Sequence, residues 1–153
     1  VLSTPRKSPQ PPLLFLGCLL AGWGLGSLHS LPLGLPWNLR LILGLVLLLV
    51  VVVHGGWGLL TFRRMGTTPA PNGQVSALLV SGPFRWTRNP LYLALTTFFV
   101  WVGVMLDSAW MLCLTPVLVL LLERLVIVRE EARLQSQFGD EYRAYTRRVR
   151  RWL

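Results

Sequence analysis

The sequence predicts an all-α integral membrane bundle of about four spans with a C-terminal interfacial helix-turn-helix, in a single domain of 153 residues. Three observations carry this. The chain is 53% hydrophobic and 14% charged, against roughly 25% charged in an ordinary soluble domain, so its charges are too few to cover a water-facing surface. Four apolar stretches approach the roughly 20 helical residues that cross a hydrocarbon layer about 30 Å thick. The remaining chain carries 15 Lys or Arg against 6 Asp or Glu, a formal charge of +9, which calls for a negatively charged neighbour such as the phosphate face of a membrane.

The first stretch, residues 13–31, is uncharged and holds Gly22 and Gly26 four apart, the spacing of small residues where membrane helices approach closely. A secretory signal peptide is the competing reading, but the run is longer than a signal core and further apolar segments follow it. The second, 41–62, is uncharged and centred on the aliphatic run 45–53. The third, 90–106, is at the short limit for a span. The fourth, 108–128, holds Glu123 and Arg124 near its end. Asp107 and Ser108 are the break between the last two, a polar pair able to turn the chain and cap the next helix. A tight antiparallel hairpin follows.

Four crossings place both ends on one side, together with the 63–89 loop and the 129–153 tail. Positive charge agrees. Arg6, Lys7, Arg63, Arg64, Arg85, Arg88, Arg129, Arg133 and the tail arginines fall on that side, and Arg40 alone falls on the other. Cytoplasmic segments are the ones enriched in Lys and Arg, so this face is read as cytosolic. Within the loop, Gly66, Pro69, Pro71, Asn72, Gly73, Gly82 and Pro83 impose turns around one apolar run, 75–80, expected to lie under the loop or near lipid. In the tail, Leu134, Phe138, Tyr142, Tyr145, Val149 and Trp152 recur at three- and four-residue intervals, an amphipathic helical pattern. Gly139 suits the end of one helix and Asp140 the cap of a second. The expectation is a helix pair lying on the bilayer, with Tyr and Trp at the headgroups and arginines toward anionic lipid.

Several chemistries are excluded. His29 and His54 each lack a second ligand one helical turn away, so no metal is expected. Cys18 and Cys113 sit inside apolar runs and found no disulfide framework. No Gly-rich phosphate loop with a Lys and no nucleophile elbow is present, which removes ATPases and hydrolases. Nucleic acid is not an expected partner, because the arginines cluster at membrane exits. The chain opens on Val1 rather than Met, which suggests a missing residue or a longer leader before it.

Two constellations remain. In the first, Ser81 to Tyr92, cations and aromatics run straight into a membrane helix whose start is marked by Asn89 and Pro90. Asn is a preferred cap and Pro needs no partner at the first helical position, so backbone N–H groups and the positive end of the helix lie beside Arg88, a place for an anion. A plain capped juxtamembrane helix is the alternative. In the second, Glu130 and Glu131 leave the fourth span together, and Glu123 shares a face with Glu130 seven residues on. Ionisable groups at that depth cost at least ~2.5 kcal/mol each when unpaired, which marks them as functional candidates. A snorkelling Arg124 with a Glu counter-ion is the alternative. Taken together, an anion pocket, a carboxylate pocket and Phe84, Trp86 and Tyr92 suit a zwitterion with a cationic centre and a flat ring, such as S-adenosylmethionine.

At these residues the chain resembles the isoprenylcysteine carboxyl methyltransferase and phospholipid methyltransferase superfamily of integral membrane enzymes. The motifs here are Gly82-Pro83-Phe84, Arg88-Asn89-Pro90-Leu91-Tyr92, Glu130-Glu131, and Phe138-Gly139-Asp140-Glu141-Tyr142 with Tyr145. The resemblance implies S-adenosylmethionine held by Ala77, Leu78 and Leu79, by Phe84, by Asn89, Pro90, Leu91 and Tyr92, and by Glu130; Arg88 of the anion pocket and Glu131 of the carboxylate pocket are expected to join them. Asn89 stands where the eukaryotic isoprenylcysteine enzymes have His. Their substrate-facing Arg, one turn before the Glu pair, is Val126 here, flanked by Arg124 and Arg129. The expected activity is methyl transfer to a lipophilic acceptor in the membrane, with an isoprenylcysteine-like carboxylate favoured and Arg124 or Arg129 orienting it. Glu123 is the candidate base for an amine or thiol acceptor. A phospholipid amine, an NADPH-dependent sterol-type reductase and a non-catalytic lipid-binding protein are the other readings.

Overall fold

A computed structural model describes residues 9–66 and 77–153. The expectations for Val1, Arg6, Lys7, Pro69, Pro71, Asn72, Gly73 and Val75 lie outside the described residues. Five α-helices run in chain order: α1 (Pro11–Leu28), α2 (Trp37–Arg64), α3 (Pro90–Met105), α4 (Ala109–Leu122) and α5 (Val128–Arg148). A 3₁₀ turn, Gly82–Arg85, precedes α3, and a π-helical turn, Glu123–Ile127, joins α4 to α5 without a break. Among the described residues, three helices are long and apolar enough to cross a membrane: α1, α2, and the continuous run that begins with α4. At 16 residues, α3 is shorter, about 24 Å at the rise of an α-helix.

Across the bundle the helices follow the order α1, α4, α3, α2. Close approach is made by small residues. A Cβ on Gly103 of α3 would lie 2.8 Å from the Cβ of Met111 on α4, and one on Gly22 of α1 would lie 2.5 Å from the Met111 sulfur. Of the predicted glycine pair only Gly22 is a packing contact; Gly26 faces open space. On α2, Gly44, Gly55 and Gly58 meet Met105, Ala94 and Leu91 of α3. The central core is Cys18, Phe99, Met111, Leu118, Leu122 and Ile127. Outward faces remain apolar, with Leu13, Leu20 and Trp23 on α1 and Ile42, Leu45, Leu49 and Val52 on α2 exposed. Such a surface belongs in lipid.

The α3–α4 hairpin forms as predicted but is not capped as predicted. Ser108 occupies the cap position without a side-chain cap bond; instead the Ala109 N–H donates to the Leu31 carbonyl, 2.9 Å. Asp107 makes the turn at φ 55° and pairs with Arg40 at 3.6 Å. Arg40 also donates to the carbonyls of Val104 and Met105, the end of α3. The lone cation assigned to the second side thus satisfies orphan carbonyls at a helix C terminus.

The tail keeps the expected helix pair but not the expected placement of its aromatic residues. Gly139 does break it, at φ 50° and ψ −118°, a conformation that needs glycine. Tyr142 and Tyr145, however, do not reach for headgroups. They are buried with Leu78 and Val149, against Leu134 and Phe138, and Trp152 packs on the central core. The periodic stripe read from the sequence is real, but its apolar face packs against Leu78 and reaches the Phe84 carbonyl through the Tyr145 hydroxyl.

Candidate functional site

The cavity lies at the end of the bundle where α1 begins, α2 ends, α3 begins and α5 departs. Its volume is about 660 Å³, within the range of sites that enclose small molecules. Apolar walls come from Pro11 and Pro12, Phe62, Leu78 and Leu79, Phe84, Leu91 and Leu95, and polar groups from Arg88, Asn89, Tyr92, Glu130, Glu131 and Arg133.

Each wall has a local cause. Gly82 adopts φ 60°, and a Cβ there would stand 2.8 Å from the Thr61 hydroxyl and 3.0 Å from the Trp57 indole nitrogen. Only glycine lets the 82–85 turn settle on α2. That turn delivers Phe84, which meets Phe62 edge to face at 5.5 Å, while its carbonyl accepts from the Tyr145 hydroxyl at 2.7 Å. Burial pushes the Tyr145 phenol above its ordinary range, so it remains a donor.

Asn89 stands at the predicted N-cap of α3 and Pro90 at its first position, but the Asn89 side chain makes no cap bond. Its amide donates instead to the Arg151 carbonyl, 2.9 Å. The buried Thr87 hydroxyl accepts from the Asn89 N–H at 3.2 Å and donates to the same carbonyl at 3.2 Å. A helix start that sequence reads as self-capped is therefore held by the returning tail.

On the opposite wall, the Tyr92 hydroxyl donates to Glu130 Oε1, 2.9 Å. Burial pushes the Glu130 carboxyl up to about 7, with Glu131 adding to the rise and the Tyr92 hydrogen bond and Arg133 opposing it. Glu131 instead sits between two cations: Arg88 Nη1 at 2.9 Å, and Arg151, whose Nε and Nη2 approach at 3.0 and 2.7 Å. The third guanidinium nitrogen of Arg151 reaches Glu123. Adjacent Glu residues thus play different parts, one neutralised by arginines and one beside a phenol. Among the described residues, the buried Nε atoms of Arg88 and Arg133 have no hydrogen-bond partner.

Leu78, Leu79, Phe84, Arg88, Asn89, Pro90, Leu91, Tyr92, Glu130 and Glu131 all line this one cavity. Ala77, at the edge of the described segment, is half-buried and outside the lining. Trp86, expected among the ring-binding aromatics, is exposed and packs edge to face on Trp57. Arg124 and Arg129 are exposed and do not line the cavity; Arg129, one residue before Glu130, points about 100° away from it round the helix. Glu123 is half-buried, held by Arg151, and also outside the lining. Sequence reasoning missed Phe62, Arg133, Tyr142, Tyr145 and Arg151. Arg133 was findable: it lies three residues beyond Glu130, on the same helical face.

No solved structure matches the chain. A protein of Haemophilus influenzae described as "Uncharacterized protein" is 43% identical over 63 residues, 41% of this chain and 94% of that protein. The family described as phospholipid methyltransferase matches residues 39–141, a stretch that holds both cavity walls from Phe62 to Arg133. The chain belongs to the phospholipid methyltransferase family of integral membrane proteins.

Proposed function

We propose that the protein transfers a methyl group from S-adenosylmethionine to a lipophilic acceptor that reaches the cavity from the bilayer, with the cavity on the cytosolic face. The observation that carries this is the shared cavity of Asn89 and Glu130, brought together from α3 and α5. Its residues fit the donor. Glu130 would hold an ammonium, Arg88 would hold a carboxylate, and Phe84 with Leu78 and Leu79 would offer a flat apolar wall to a purine. When bound, this donor supplies a methyl group on a sulfonium already activated by its charge. The chain's own work is to orient two ligands and exclude water. Sidedness follows from charge: Arg40 stands at the far end of α3 from the cavity, and the other loop and tail cations stand at the cavity end.

Two acceptors are favoured by separate observations. An isoprenylcysteine-like carboxylate needs a cation in the cavity, and Arg133 offers one where Arg124 and Arg129 do not. A phospholipid headgroup is favoured by the family match, whose description names a phospholipid as the methylated molecule. The family match favours a methyl donor over NADPH. Calorimetric titration of the purified chain with S-adenosylhomocysteine tests the reading. Binding by the wild type that falls at least about tenfold in Glu130→Ala, the loss expected for a charge-assisted contact, supports it. No binding, or equal binding by the variant, defeats it.

A further inference from the structure

The 149–153 stretch does not line the cavity, yet it holds the residues that do. Beyond α5, Val149 turns extended (φ −122°, ψ 128°), and the chain returns alongside residues 87–89. The Arg150 carbonyl accepts from the Arg88 N–H at 3.0 Å, and the Arg151 carbonyl accepts from Thr87 and Asn89. The Arg151 side chain then spans Glu123 in the π-helical turn and Glu131 in α5, the latter through two parallel N–H···O bonds. Such forked pairs fix direction as well as charge. Arg151 therefore grips both cavity walls from behind: the Arg88–Asn89 wall through carbonyls, the Glu131 wall through its guanidinium.

Removing the side chain has a definite consequence. Glu123 and Glu131 lose a shared counter-ion, and Glu131 is left with Arg88 alone. A half-buried carboxylate that loses one of two cations is left partly uncompensated, and Glu131 and Arg88 are free to turn together out of their present arrangement. The returning carbonyl is no longer pinned, and the Asn89 amide loses its fixed acceptor.

We propose that Arg151 is a positioning residue for the donor site, locking Arg88, Asn89 and Glu131 in the arrangement that receives the methyl donor. This rests on the donor reading given under Proposed function. A simple tail anchor would affect stability alone, so the test reads ligand affinity and stability separately. The full chain in detergent is titrated with S-adenosylhomocysteine and melted, as wild type, Arg151→Ala, Arg151→Lys and Glu123→Gln. The dissociation constant rises about tenfold or more in Arg151→Ala, which loses every charge-assisted bond of the clasp. It rises about threefold or more in Arg151→Lys, which keeps the charge but not the fork, and in Glu123→Gln, which leaves the cavity lining untouched. Wild-type affinity in all folded variants, with only the melting temperature lowered, overturns the proposal while leaving the donor reading intact. Should Arg151→Ala fail to fold, wild-type affinity in both Arg151→Lys and Glu123→Gln overturns it equally. No binding by the wild type removes the donor reading and this one with it.

Discussion

Glu130 is the residue whose ionisation the site turns on. Its carboxyl, near 7 in the folded chain against an ordinary 4.5, holds its proton more tightly folded than unfolded. Stability is therefore lost as pH rises between those two values. Glu130→Gln removes that loss: the variant melts higher than the wild type above pH 7 and no higher below the ordinary carboxyl value, while its affinity for S-adenosylhomocysteine falls. Thermal melts across pH, paired with titrations, check both directions. Tyr145→Phe deletes one buried hydroxyl-to-carbonyl bond and is expected to cost about 0.5–1.5 kcal/mol, read as a lower melting temperature. Glu130 and Asn89 were legible in the sequence because each stands in a local pattern, a carboxylate pair at a span's end and an Asn-Pro helix start. Arg151 and Tyr145 were not, because their partners lie 20 to 64 positions away and no local period reports such a pairing.

Among the elements, the hairpin and the kinked tail decide where the cavity walls stand. Gly103→Val forces a side chain against the Met111 Cβ, a backbone-proximal atom that cannot swing aside, and about 1–3 kcal/mol of overpacking is expected. A lowered melting temperature checks this. Gly139→Ala places a side chain at φ 50° and ψ −118°, with an expected cost of about 1–3 kcal/mol. Because the kink aims Tyr142 and Tyr145 at the cavity, this variant should also bind S-adenosylhomocysteine more weakly, which Gly24→Ala, facing open space, should not. The helices, the hairpin and the tail stripe were all readable from length and period. What covers the stripe was not, since an amphipathic pattern states that one face is apolar and not whether lipid or protein meets it. The π-helical turn was equally hidden: a straight helix would keep Glu123 and Glu130 on one face, and the wider turn separates them.

At the scale of the whole molecule, charge and hydropathy divide the chain into a lipid-facing body and one polar end, and the cavity is built where the two meet. The donor reading and the acceptor reading both depend on that position, since one ligand comes from water and the other from the bilayer. The most direct test uses the full chain in phosphatidylethanolamine-containing nanodiscs, incubated with S-adenosylmethionine labelled in its methyl group, with the lipid extract and an added isoprenylcysteine analogue examined by mass spectrometry. Label in one of these acceptors, absent with Glu130→Gln, is the predicted result. Binding of the donor with no label in any acceptor, or equal labelling by the variant, contradicts it.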